Sequence, residues 1–143
     1  MYDIIGDIHG HAYHLEKLLL KMGYRKKNGC YFHSERKVVF VGDFIDRGPM
    51  IREALKIARS MTENGNALAV IGNHEYNALC YHTKNERGEW MRDHSERKML
   101  QHSETLKQFK HHVKEKICLL ICRFQVSMTS EVLNYRSLKL QKS

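Results

Sequence analysis

The chain has 143 residues, 42% of them hydrophobic and 28% charged, which fits one domain with a real core. No apolar stretch approaches the ~20 residues needed to cross a bilayer, and the formal charge of +8 asks for an anionic partner. The positive residues lie scattered among acids, with no aromatic-basic motif, so phosphorylated ligands are expected over nucleic acid.

The N-terminus reads as the start of a strand and not a signal peptide, because no basic segment precedes an apolar one. Tyr2–Gly6 is a short apolar run ending in Gly-Asp, as a buried strand would. Leu15, Leu18, Leu19 and Met22 then recur at helical spacing, and Gly23 closes that helix. Lys26–His33 contains Asn28-Gly29, a hairpin signal. Lys37–Val41 predicts a second buried strand. After Pro49, expected in the first helical turn where proline is tolerated, Ile51, Ala54, Leu55, Ala58 and Met61 mark a second helix. Asn64-Gly65-Asn66 turns the chain into a third strand, Ala67–Ile71, and a helix follows through Tyr76–His82. Thr83–Glu89 reads as a loop, and Leu106, Phe109 and Val113 predict a last helix. The alternation predicts a layered α/β domain with a mostly parallel βαβαβ sheet, its strand carboxyl ends on one edge. Ligands sit at that edge in open α/β sheets.

Each of the three strands runs into a polar motif: Gly6-Asp7-Ile8-His9-Gly10, Gly42-Asp43-Phe44-Ile45-Asp46-Arg47-Gly48, and Gly72-Asn73-His74-Glu75. Together they supply what a two-metal phosphoesterase needs: a shared carboxylate, further O and N ligands, and room for a metal-bridging hydroxide aimed at phosphorus. Asp7 and His9 can reach one ion from the same turn, Asp43 is placed to bridge, and Asn73 offers an amide oxygen to the second. No thiolate enters the set, which suits Mn, Fe, Zn, Co or Ni. Arg47 offers a fork of donors matched to phosphate oxygens, with Asn73 and His74 as neighbouring phosphate contacts. His74 is suited to protonate the leaving group, oriented by Asp46. Glu75 reads as a brace for the following helix. Cys30, Cys80, Cys118 and Cys122 form no CxxC pair and are expected as reduced thiols in a cytoplasmic protein.

These motifs, in this order, resemble those of the calcineurin-like metallophosphoesterases, within them the bacterial branch near the diadenosine-tetraphosphate hydrolases and the protein serine/threonine phosphatases. The resemblance covers residues 1–116. It implies the N-terminal half of a four-layer α-β-β-α sandwich with a dinuclear centre: Asp7, His9 and Asp43 on one ion, Asp43 and Asn73 on the other. It also implies Arg47 on phosphate and His74 with Asp46 at the leaving group. The substrate would be a phosphorylated small molecule, a dinucleoside polyphosphate or a phosphoprotein.

The family adds further histidines from later strands. Here His82, His94, His102, His111 and His112 follow no apolar strand and read as surface residues. Residues 117–143 lack Asp, Gly, Pro and His and carry four Lys/Arg against one Glu, so they read as a non-family tail, as a frameshift or early stop would produce. The expectation is a metal-dependent phosphoesterase with incomplete metal shells and full activity in question. The alternative is a silent remnant that binds metal or a phosphorylated ligand without turnover. The missing second sheet would leave an apolar face open to a partner or to self-association.

Overall fold

The computed structural model describes residues 1–109. Three short strands, β1 (Tyr2–Ile5), β4 (Lys37–Phe40) and β5 (Ala67–Ala69), form a parallel sheet in the order β1-β4-β5. Helix α1 (Ala12–Lys21) and the hairpin β2 (Arg25–Lys27) and β3 (Cys30–Phe32) connect the first two strands. Helix α2 (Ile51–Glu63) connects the second to the third. Helices α3 (Asn73–Tyr81) and α4 (Glu96–Phe109) follow. The expected mixed α/β domain with a parallel βαβαβ sheet is what the chain forms. Val113, expected to extend the last helix, His111, His112 and the 117–143 tail lie outside the described residues.

Alternation along the strands decides which side of the sheet the helices cover. Ile5, Val38, Phe40, Ala67 and Ala69 are buried, and Leu15 and Leu19 of α1 with Ile51, Ala54, Leu55, Ala58 and Met61 of α2 complete that core. Ile4, Val39 and Leu68 stand opposite one another on the other face. Ile4 is 74% exposed there and Leu68 38%, so one sheet face is apolar and uncovered among the described residues. That is the face the expected second layer would meet. Both described cysteines, Cys30 and Cys80, are free thiols, as expected.

Local chemistry accounts for the turns. Asn28 and Gly29 both take positive φ (50° and 79°), the type I′ hairpin conformation. Pro49 lies one residue before the α2 N-cap, Met50, instead of in the first helical turn as expected. Met50 offers no capping side chain, and Gln108 of α4 takes over: its Oε1 accepts the Ile51 N–H at 3.0 Å and the Arg52 N–H at 3.3 Å, while its Nε2 donates to the Pro49 carbonyl. The last helix is thereby tied to the loop that precedes α2.

Candidate metal and phosphate site

The three polar motifs leave the same edge of the parallel sheet and are stitched together by backbone. His9 N–H donates to the Asp43 carbonyl and Gly10 N–H to the Phe44 carbonyl, each at 2.8 Å; Gly48 N–H returns to the His9 carbonyl at 2.9 Å. The second and third motifs touch at Gly42 and Gly72. A Cβ on Gly42 (φ 94°) would lie 2.0 Å from Gly72 N, and one on Gly72 would lie 2.2 Å from Asp43 Oδ1, so neither position admits a side chain.

Backbone strain concentrates in the same place. Asp7, His9, Asp43, Asp46 and Arg47 all have positive φ, between 44° and 69°. The left-handed region costs a non-glycine residue about 1–3 kcal/mol, and it persists only where the surroundings over-determine it. Asp and His tolerate it better than most, which explains part of the residue choice.

Glu75 supplies much of that over-determination. Its carboxylate, buried on α3, accepts four backbone N–H groups: Asp43 and Gly72 on Oε2 at 2.8 Å each, Phe44 on Oε1 at 2.8 Å and Ile45 on Oε1 at 3.2 Å. It braces its own helix, as expected, and also holds the second motif's turn. Asp43 returns the favour through Oδ1, which accepts the His74 N–H at 2.9 Å and caps α3 where Gly72 has no side chain to do so.

The ligating atoms of His9, Asp43 and His74 lie within 4.8 Å of one another, the one such group of His, Cys, Asp or Glu among the described residues. His9 Nδ1 lies 3.0 Å from the Ile45 carbonyl, which can only accept, so Nδ1 carries the proton and Nε2 keeps its lone pair for a ligand. His74 Nδ1 lies 2.7 Å from Asp46 Oδ2, leaving its Nε2 free in the same way. A His9 ring nitrogen and the half-buried Asp43 carboxylate suit a divalent transition metal, with His74 in the same 4.8 Å group. Asp7 stands beside them, exposed, with Oδ1 3.6 Å from His9 Nε2. Arg47 and Asn73 are exposed, Asn73 as the first residue of α3. The structure thus brings together His9, Asp43 and His74, with Asp46 bonded to His74, and leaves Asp7, Asn73 and Arg47 exposed.

Asp46 is the most heavily bonded of the set. It is 4% exposed, and besides His74 its carboxylate meets His102 Nδ1 at 2.6 Å and the Thr105 hydroxyl at 2.6 Å, both on Oδ1. Burial pushes this carboxyl up, but the bonds from His102 and Thr105, the neighbouring His102 and the His74 bond outweigh it, leaving it below the ordinary carboxylate range.

His102 corrects an expectation. It is not a surface histidine but 5% exposed, facing the site from α4. His82 and His94 are half-buried: His82 Nε2 lies 3.4 Å from His102 Nε2, and His94 stacks on Tyr81 and Trp90. The missed signal was the spacing 102, 105, 106, 109, a helical stripe whose first two members are polar. A search for apolar residues alone passes over it.

The chain matches the family model described as "Calcineurin-like phosphoesterase" over residues 2–122. It is 48% identical over 73 residues to a bis(5'-nucleosyl)-tetraphosphatase PrpE (asymmetrical) from Oceanobacillus iheyensis, covering 50% of this chain and 29% of the relative. The Bacillus subtilis protein of the same name is 45% identical over 74 residues, covering 51% of this chain and 30% of the relative. The matched segment thus spans less than a third of these curated relatives. Among solved structures, a protein serine/threonine phosphatase from Saccharomyces cerevisiae is similar with a TM-score of 0.52 at 18% identity, over 85% of this chain and 32% of that one. A mutant cold-active protein tyrosine phosphatase gives 0.56 at 18% identity, over 85% and 37%. At that identity the two structures speak for the fold, and they match its N-terminal part.

Proposed function

The chain belongs to the calcineurin-like phosphoesterase family, and on that premise we propose that it carries the first part of a divalent-metal site for hydrolysing phosphoric esters or anhydrides. The single observation that supports this most is the convergence of His9, Asp43 and His74 ligand atoms at the sheet edge. His9 and Asp43 are ligands in this reading with Asp7 and Asn73 as the further ones, His74 stays off the metal as the proton donor, and Mn is the favoured ion. When bound, divalent ions supply positive charge for the phosphate oxygens and acidify a water for attack.

The protein's own groups then have separate tasks. Arg47, exposed, pairs with the phosphate oxygens in this reading, helped by Asn73 and the His74 side chain. His74 keeps its Nδ1 proton on Asp46 and holds the second proton at Nε2, from which it passes to the leaving oxygen. The buried Asp46 carboxylate balances the imidazolium while it exists.

Among substrates a dinucleoside polyphosphate is favoured, because relatives bearing the tetraphosphatase name are 41–48% identical over about 75 residues, whereas the phosphatases named above share 18%. A phosphoprotein or a small phosphate ester is the second choice. The bared Ile4–Val39–Leu68 face is the surface through which self-association would occur.

The test is hydrolysis of diadenosine tetraphosphate and of 4-nitrophenyl phosphate by the full chain with Mn. Turnover that is lost in Asp43→Ala supports the reading. Turnover that is independent of Mn, or unchanged in Asp43→Ala, overturns it.

A further inference from the structure

His74 and Asp46 belong to the motifs at the sheet edge; the groups that hold Asp46 from behind do not. Thr105 and His102, 59 and 56 residues further along the chain, reach Asp46 from α4. Thr105 Oγ1 accepts the Asp46 N–H at 3.0 Å and donates to Asp46 Oδ1 at 2.6 Å. One hydroxyl thereby fixes both the backbone and the side chain of a residue whose φ is 69°. His102 Nδ1 donates to the same Oδ1 at 2.6 Å, and His74 Nδ1 donates to Oδ2 at 2.7 Å. Each carboxylate oxygen faces one imidazole.

We infer that His102 is a positioning residue for His74: by occupying Asp46 Oδ1 it aims Oδ2 at His74 and keeps that imidazole in its Nδ1–H tautomer, with Nε2 facing the site. The geometry carries this. With Thr105 as the sole donor on Oδ1, the carboxylate can still turn about its last torsion, which is broad and nearly two-fold, and meet the histidine at a range of angles. His102 as a second donor on Oδ1 removes that freedom. His102 is itself held by position: it lies on the buried stripe of α4, its ring packs near Tyr81, and its Nε2 stands 3.4 Å from His82 Nε2. With Nδ1–H committed to Asp46, His102 Nε2 faces His82 Nε2. The polar series His82, His102, Asp46, His74 thus runs from α3 and α4 to the sheet edge. The helix is anchored separately by Gln108 on the α2 N-terminus, so His102 does not hold α4 in place alone.

The inference rests on His74 acting at the site through Nε2, but its test does not need turnover. Long-range proton–nitrogen NMR of the imidazoles, on the full 15N-labelled chain without metal, reads each tautomer directly. The wild type is expected to show His74 as a single Nδ1–H species. His102→Ala should shift His74 toward a mixture of tautomers, and His102→Asn, whose amide nitrogen stands where Nδ1 stood, should restore the single species. If the alanine variant does not fold, His102→Asn against His102→Gln makes the same comparison, since the longer amide misplaces its donor. A His74 that remains a single Nδ1–H species in the alanine or glutamine variant overturns the inference. A merely structural His102 would lower the melting temperature without moving the His74 nitrogens. Turnover is measured beside it: roughly tenfold lower kcat at unchanged KM in His102→Ala extends the inference to catalysis. A wild-type chain inert with Mn would contradict the phosphoesterase reading, while the tautomer comparison still decides the role of His102.

Discussion

Asp46 sits under a demand that few carboxylates meet: buried, left-handed in its backbone and shared by three donors. Thr105→Val keeps the shape and removes the hydroxyl, orphaning the buried Asp46 N–H and one bond to its carboxylate. The expected cost is about 1–3 kcal/mol of stability, read from urea denaturation. The carboxyl also titrates lower in the folded chain than in the unfolded one. Its stabilising contribution is therefore present in full above the unfolded value of ~3.9 and is lost as pH falls through the folded value. Stability should drop below about pH 4, and Asp46→Asn should flatten that acid limb. In the role proposed for His74, the leaving group sets the size of the effect. A nucleotide phosphate, with its second pKa near ~6, departs without a proton more readily than an alkoxide. His74→Ala should therefore lower kcat more for an alkyl phosphate than for a dinucleoside polyphosphate, with KM little changed.

At the scale of elements, the site is a contact between turns, and α3 is the clasp. Glu75→Gln replaces an acceptor of four N–H groups with a side chain that has one acceptor oxygen and an NH2 facing donors. A loss of roughly 3 kcal/mol or more is expected. Gly72→Ala drives a methyl onto Asp43 Oδ1, so metal affinity should fall further than stability, read by calorimetry at fixed pH. The strands, the first two helices and the Asn28-Gly29 turn were legible in the sequence because periodicity and turn chemistry are local. So were the three motifs, because each follows an apolar run. What pins them was not legible. Glu75 announces a helix brace and gives no sign of three further N–H partners across 30 to 32 residues. His102 and Thr105 sit on the inner stripe of α4 but are polar, and a pattern of apolar residues does not register them.

At the scale of the molecule, the chain pairs a well-held sheet edge with a sheet that is covered on one side among the described residues. The bare row through Ile4, Val39 and Leu68 is continuous across all three strands. Exposed apolar surface of this kind promotes association. Ile4→Lys is expected to shift sedimentation toward the monomer without altering the fold by circular dichroism. No helix among the described residues is long and apolar enough to cross a membrane.

The central claim, that His9 and Asp43 hold a divalent cation beside His74, is tested most directly by Mn titration of the full chain followed by electron paramagnetic resonance. Wild type should take up Mn, with the signal of free Mn suppressed, and Asp43→Asn should lose most of that uptake. Equal uptake by both, or none by the wild type, would contradict the claim.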